Sequence, residues 1–243
     1  MRIAVISDVH SNLPALRAVL ADIERVGSDE IWCLGDLVGY GADPGPCVDL
    51  VRDAADICLV GNHDLAVIGS IPVSEFSELA LAAAEWTRSA IGEPTVAFLR
   101  GLRPEGVRAE VGLYHASPRD PVWEYLLSTS QADGCFDLQE TRIGLVGHSH
   151  VALSFHRRAG ARATGQPRGE GERIELTEGQ WLLNPGSVGQ PRDSDPRAAW
   201  LELDLTGGSA VFHRVEYDVR AAADAIDAAG LPQQLGERLF LGH

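Results

Sequence analysis

Three short apolar runs, Arg2–Ser7, Ile31–Leu34 and Ile57–Val60, each break off on a polar turn, and this repeat limits the fold more than any other feature. Runs of this length without polar alternation read as strands covered on both faces, as in a parallel sheet. After the first run, Leu13, Leu16, Val19, Leu20 and Ile23 recur at helical spacing, with Asn12 as a cap candidate and Pro14 in the first turn. After the second, a Gly/Pro-rich loop leads into a short helix over Val48–Ala54. The order is therefore β-α-β-α-β. It brings Asp8-Val9-His10, Gly35-Asp36 and Gly61-Asn62-His63-Asp64 to the carboxyl ends of three strands, the edge where open α/β sheets bind ligands. The last of these turns is the hardest to explain as structure alone. A helix cap needs one Asn or Asp, which leaves His63 and one other residue without a reason.

Further on, helices are expected over Phe76–Ile91 and Pro94–Leu102. Strands are expected over Val107–Val111, Gly112–Tyr114, Ile143–Val146, Val151–His156, Arg173–Leu176, Trp181–Leu183, Ala199–Leu205 and Ala210–Tyr217. Val219–Leu239 reads as a helical segment broken at Gly230-Leu231-Pro232. Pro121–Glu140 is a lid or a packed excursion, and Arg158–Glu172, rich in Gly and Arg, reads as a mobile hairpin loop. No linker divides the chain, so residues 1–243 are expected to form a single domain. With βαβ units first and strands later, a parallel-rich sheet and an antiparallel-rich sheet should pack together, flanked by helices.

Composition excludes several function classes. A net charge of −15, spread along the chain, disfavours long nucleic acid as a partner. No apolar run reaches membrane length and no signal peptide precedes the first strand, so no membrane partner and a cytoplasmic location are expected. All twenty basic residues are Arg; without Lys there is no Walker-type phosphate lysine, Schiff base or lysine general base. Cys33, Cys47, Cys58 and Cys135 lack CxxC pairing and read as buried free thiols. A homo-oligomer is compatible with all of this.

Five of the eight histidines (His10, His63, His115, His148 and His150) stand at the ends of expected strands, together with Asp8, Asp36 and Asn62. A set of His, Asp and Asn donors without thiolate suits Mn²⁺, Fe, Zn²⁺ or Ni²⁺. Seven of these as ligands exceed one structural zinc and suit two ions sharing a carboxylate. His156 and His213 alternate with apolar residues on strands and are given no function.

Asp8-x-His10, Gly35-Asp36, Gly61-Asn62-His63-Asp64, His115 and Gly147-His148-x-His150 resemble, in order and spacing, the signature of calcineurin-like metallophosphoesterases. The resemblance extends across nearly the whole chain. It is closest to the small bacterial and archaeal phosphodiesterase branch, which has a sequence similar to Asn184-Pro185-Gly186-Ser187-Val188-Gly189 near its end. The fold it implies is a four-layer α/β/β/α sandwich of two mixed β-sheets flanked by helices. The resemblance also implies that Asp8, His10, Asp36 and His150 hold a first metal. Asp36 would bridge to a second, completed by Asn62, His115 and His148. His63 would be the general acid and Asp64 its orienting partner.

The implied cofactor is two divalent transition-metal ions, Mn²⁺ first among them. Two ions about 3.5–4 Å apart can share a water, lower its pKa and aim it in line at phosphorus. The implied partner is a small phosphate-ester substrate, with phosphodiesters, nucleotides included, favoured over monoesters or phosphoproteins. A monoester dianion usually calls for cations beyond the metals, and none of the ligand turns contains an arginine; Arg119 and Arg192 are the nearest in sequence. A non-catalytic metal-binding interaction module of the same fold would have no reason to keep His63. Arg119, Asn184 and Ser187 are further candidates for substrate contact, the alternatives being a solvent-exposed arginine and two turn-capping residues. Tyr40 either lines the pocket or packs on its own loop.

Overall fold

Along the first strand, β1 (Arg2–Ile6), Ile3 and Val5 enter one core while Ala4 and Ile6 enter another. Side chains alternate across a strand, so this separation places β1 in a sheet buried on both faces. A computed structural model describes residues 1–243 as two six-stranded sheets. The first half contributes α1 (Leu13–Val26), β2 (Glu30–Cys33), α2 (Pro44–Ala54), β3 (Ile57–Cys58), α3 (Asn62–Val67), α4 (Glu78–Ala90) and α5 (Glu93–Arg100). The second contributes β4 (Glu105–Arg108), β5 (Val111–Tyr114), α6 (Thr129–Phe136), β6 (Ile143–Leu145), β7 (Ala152–Arg157), β8 (Thr164–Pro167), β9 (Arg173–Glu175), β10 (Gln180–Pro185), β11 (Ala198–Asp204), β12 (Ser209–Val215), α7 (Val219–Ala228) and α8 (Gln234–Glu237).

The strand orders are β3-β2-β1-β11-β12-β9 and β4-β5-β6-β10-β7-β8. Each sheet carries a parallel block of three, β3-β2-β1 in one and β5-β6-β10 in the other, continued by antiparallel strands. The sheets are thus both mixed rather than one parallel-rich and one antiparallel-rich, because β11, β12 and β9 return to complete the first sheet. Ile3, Val5, Trp32, Leu34 and Phe212 meet Leu113, Leu145 and Leu183 between the sheets. The outer face of the first sheet is covered by α1, α2 and α5, through Leu16, Val19, Val48, Val51 and Leu99. On the outer face of the second sheet the cover is short: α6 and Leu126 pack on Phe155 and Leu182. Fully burying side chains of this size is worth about 1.5–3 kcal/mol each, and the inter-sheet core fixes how the two parallel blocks face one another.

Several boundaries differ from the sequence reading. The turn between β4 and β5 falls at Ala109 and Glu110, both left-handed (φ 48° and 62°). Such a hairpin turn favours Gly or Asn, so the local signal for it was missing. Arg158–Glu172 contains β8, which pairs with β7, and so is sheet edge rather than a mobile loop. All four β8 residues are exposed, which leaves no hydrophobic period to read. Pro121–Glu140 is a packed excursion containing α6, whose N-terminus is capped reciprocally by Ser128 and Gln131. Ser77 caps α4, so Phe76 stays in the preceding loop. The four cysteines are free thiols, Cys58 half-buried and the rest buried. No helix is long and apolar enough to cross a membrane.

Candidate metal centre

All six strands of the two parallel blocks end at one place. Asp8 and His10 follow β1, Asp36 follows β2, Asn62 and His63 follow β3, His115 follows β5, His148 and His150 follow β6, and Ser187 follows β10. The turns carrying them are strained. Ten non-glycine residues have positive φ, and seven belong here: Asp8, His10, Ser11, Asp36, Tyr40, His148 and His150. Each costs about 1–3 kcal/mol and persists only where the surroundings impose it. Two glycines make the close approach possible. A Cβ on Gly61 would lie 2.1 Å from Asp36 Oδ1, and one on Gly147 would lie 2.1 Å from Ser7 Oγ.

The hydrogen bonds define which atoms face inward. His10 Nδ1 meets the Val38 carbonyl at 3.0 Å, His115 Nδ1 the Leu34 carbonyl at 2.9 Å, and His150 Nδ1 the Gln190 carbonyl at 2.6 Å. A carbonyl only accepts, so each Nδ1 carries the proton and each neutral ring is left with a bare Nε2 lone pair. Burial, ahead of the charges of neighbouring groups, holds all five site histidines below the usual imidazole pKa. Yet His10 Nε2 and His150 Nε2 lie 3.0 Å apart, and His115 Nε2 faces Asn62 Oδ1 at 3.2 Å. These are acceptors pointed at acceptors.

The carboxylates add to the imbalance. Asp36 Oδ1 accepts from the His63 backbone N–H at 2.9 Å, and its Oδ2 has no hydrogen-bond partner. That oxygen lies 3.6 Å from both His10 Nε2 and His115 Nε2. Asp8 Oδ2 accepts from the His148 backbone N–H at 3.0 Å, and Oδ1 is left 3.3 Å from His150 Nε2. His148 Nε2 is likewise buried without a partner. Burial, then the charges of Asp64 and Asp8, pushes the Asp36 carboxyl well above the usual range.

Two groups of ligand atoms each lie within 4.8 Å of one another, Asp8–His10–Asp36–His150 and Asp36–His115–His148, and Asp36 belongs to both. Cations placed among these atoms would satisfy the orphaned Asp8 Oδ1, Asp36 Oδ2 and His148 Nε2 at once, and the all-N,O donor set suits a divalent transition metal.

The remaining candidates fall differently. Asp64 does not orient His63: its oxygens accept from the backbone N–H groups of Gly61 and Val38, both at 3.0 Å. Neighbours in sequence on a helix do not face each other, so Asp64 instead ties the Asp36 turn to the start of α3. Burial raises it to about 6. His63 has a buried, unpartnered Nδ1 turned toward Gly39, which leaves Nε2 as the nitrogen open to a ligand. Its ring packs 4.4 Å from Tyr40 and 4.7 Å from Phe76.

Asn184 and Ser187 do not contact the open side. Asn184 Nδ2 donates to the Gly147 carbonyl and Ser149 Oγ, and Ser187 Oγ donates to the Asp8 carbonyl, so both brace the turns that carry Asp8 and His148. Arg119 is paired with Glu124 beside α6 and is not brought to the cluster. Tyr125, not singled out by sequence reasoning, and Arg192, named there as one of the two nearest arginines, stand closer. Tyr125 stacks on His148 at 4.1 Å, and Arg192 bonds Tyr40 Oη at 3.3 Å. No local signal marks them, because they come from loops whose direction only packing sets.

The calcineurin-like phosphoesterase superfamily domain matches residues 1–206. An uncharacterized protein of Methanocaldococcus jannaschii is 40% identical over 245 residues, 99% of this chain and 98% of the relative. The crystal structure of a metallophosphoesterase from Sphaerobacter thermophilus is 39% identical and superposes with a TM-score of 0.91, covering 100% of this chain and 99% of that one. A symmetrical bis(5′-nucleosyl)-tetraphosphatase of Actinobacillus pleuropneumoniae is 31% identical over 70 residues, 28% of this chain and 26% of the relative. The motif order read from the sequence, the paired sheets and these likenesses agree: the chain belongs to the calcineurin-like phosphoesterase superfamily.

Proposed function

We propose that the whole chain acts as one cytoplasmic domain that hydrolyses small phosphodiesters, nucleotides among them, at a centre holding two divalent transition-metal ions, Mn²⁺ first. One observation carries this reading: Asp36 Oδ2, unpartnered, lies 3.6 Å from an imidazole nitrogen on either side, as a carboxylate shared by two cations would. Asp8, His10 and His150 would hold one ion with Asp36, and Asn62, His115 and His148 the other. When bound, such a pair supplies Lewis acidity, activating water and neutralising charge on the phosphoryl oxygens.

The chain's own residues do the rest. Asn62 adds a donor without adding negative charge, which keeps the centre attractive to an anion. His63 Nε2 would give a proton to the leaving oxygen. Burial and then Arg192 hold His63 neutral, and an anionic substrate beside it would offset Arg192 and raise its proton affinity. Phe76, 4.7 Å from His63, and Trp123, 5.8 Å from Phe76, form an apolar wall beside that proton transfer. The short likeness to a bis(5′-nucleosyl)-tetraphosphatase supports nucleotides among the substrates. The net charge of −15 supports a small substrate over long nucleic acid.

Arg192 favours a second reading. It supplies the cation that the ligand turns lack, and a monoester dianion would benefit from it. Measuring kcat/KM for a nitrophenyl phosphodiester and its monoester with each candidate metal separates the two. The diester should be faster. A tenfold monoester preference, about 1.4 kcal/mol, would establish a phosphomonoesterase instead.

A further inference from the structure

Arg192 and Arg238 converge on one aromatic ring: their guanidinium carbons lie 5.6 and 5.8 Å from the Tyr40 centroid. Tyr40 is itself 4.8 Å from His10 and 4.4 Å from His63, ring to ring, so the pair stands beside the centre rather than over Asp36. Arg192 donates through Nη2 to Tyr40 Oη at 3.3 Å and to Gln190 Oε1 at 2.9 Å, and its Nε is buried with no partner. Arg238 donates from Nε to the main-chain oxygen of His243, the last residue of the sequence, at 2.6 Å. Neither forms an ion pair with an Asp or Glu side chain, whereas eleven other arginines do.

In a chain of net charge −15 this is no shortage of acids. A cation–π contact explains one guanidinium on a ring. A second brings like charge beside the first: burial, and then the charge of Arg192, pushes Arg238 below the usual guanidinium value. An anion shared by the two would offset both penalties, and the planar donor fork of arginine matches phosphate. Arg238 also comes from the turn after α8, outside the residues 1–206 matched by the family. The same segment packs Ile226, Leu235 and Leu239 in one cluster with Tyr40.

We propose that Arg192 and Arg238 form a subsite for a second phosphate next to the reacting one, so that the substrate is a phosphoester or phosphoanhydride carrying at least one further phosphate. The inference rests on the phosphoesterase reading for its meaning, but the subsite can be read without turnover. Metal-loaded protein is titrated calorimetrically with orthophosphate and with pyrophosphate. Pyrophosphate should bind more tightly, and Arg192→Gln and Arg238→Gln should each lower the ratio of the two affinities by about tenfold, the worth of a charged hydrogen bond. Arg238→Lys should keep part of it. A ratio unchanged in the variants, or a loss equal for both anions, would overturn the subsite.

Kinetics supply the second arm, with thymidine 5′-nitrophenyl phosphate compared with the same ester carrying a 3′-phosphate. The added phosphate should lower KM in the wild type and not in the glutamine variants. If neither ester is hydrolysed while the binding ratio behaves as expected, the subsite stands and the phosphoesterase reading falls. Hydrolysis with an unchanged ratio sinks the subsite alone.

Discussion

On the Asp8 side of Asp36, both histidines donate Nδ1–H to main-chain carbonyls, those of Val38 and Gln190. On the other side only His115 is anchored in this way, to Leu34, while His148 is held by the stacked ring of Tyr125. Tyr125 is 45% exposed, so the stack on His148 is itself open to solvent. A ligand whose far nitrogen is fixed by a carbonyl is oriented before any ion arrives, and losing such a partner typically weakens metal affinity about 10–100-fold. For the proposed two-ion centre this implies unequal occupancy. The Asp8 half should fill first and hold its ion longer.

The strongest way to break this comparison is to remove what the halves share. Asp36→Asn should cost both ions and all measurable turnover, with elemental analysis read beside activity. Retention of one full ion would show that Asp36 belongs to a single half. His63→Ala should act on neither half: both ions stay, while activity on alkyl esters falls about 10²–10⁴-fold. The deficit should shrink for nitrophenyl esters, whose leaving group needs no proton. If metal content fell in step with activity, His63 would be a ligand and the division would need redrawing.

His148→Ala sharpens the difference between the halves themselves. Stepwise calorimetric titration should show the weaker event lost or weakened by about 10–100-fold, with the tighter event nearly unchanged. Equal weakening of both would mean that the halves are coupled and the anchoring argument is wrong. The smallest effect is expected at Arg119, an exposed residue spent on Glu124. Arg119→Ala should change kcat/KM by less than about twofold and stability by less than about 1 kcal/mol, as for other surface ion pairs. A tenfold rise in KM would return it to the substrate side.

The sequence alone determined the ends of the argument. Asp8, His10, Asp36, Asn62, His115, His148 and His150 were legible because unbroken apolar strands give way abruptly to His, Asp and Asn, and a chain that needs only turns does not choose those side chains repeatedly. The layered fold was legible for a related reason, since unbroken apolar runs and helical spacing are local properties. What the tertiary structure decided is direction. Asp64 could be read as a partner for His63 until Gly61 and Val38 were seen to take both of its oxygens. Asn184 and Ser187 lie near the site in sequence pattern, yet turn their polar atoms to the backbone. Arg119 and Arg192 look alike along the chain, but one loop packs against α6 and the other returns to Tyr40. A loop's composition sets which bonds it can make. Which of them it makes depends on where two sheets, packed through residues far apart in the chain, bring its neighbours.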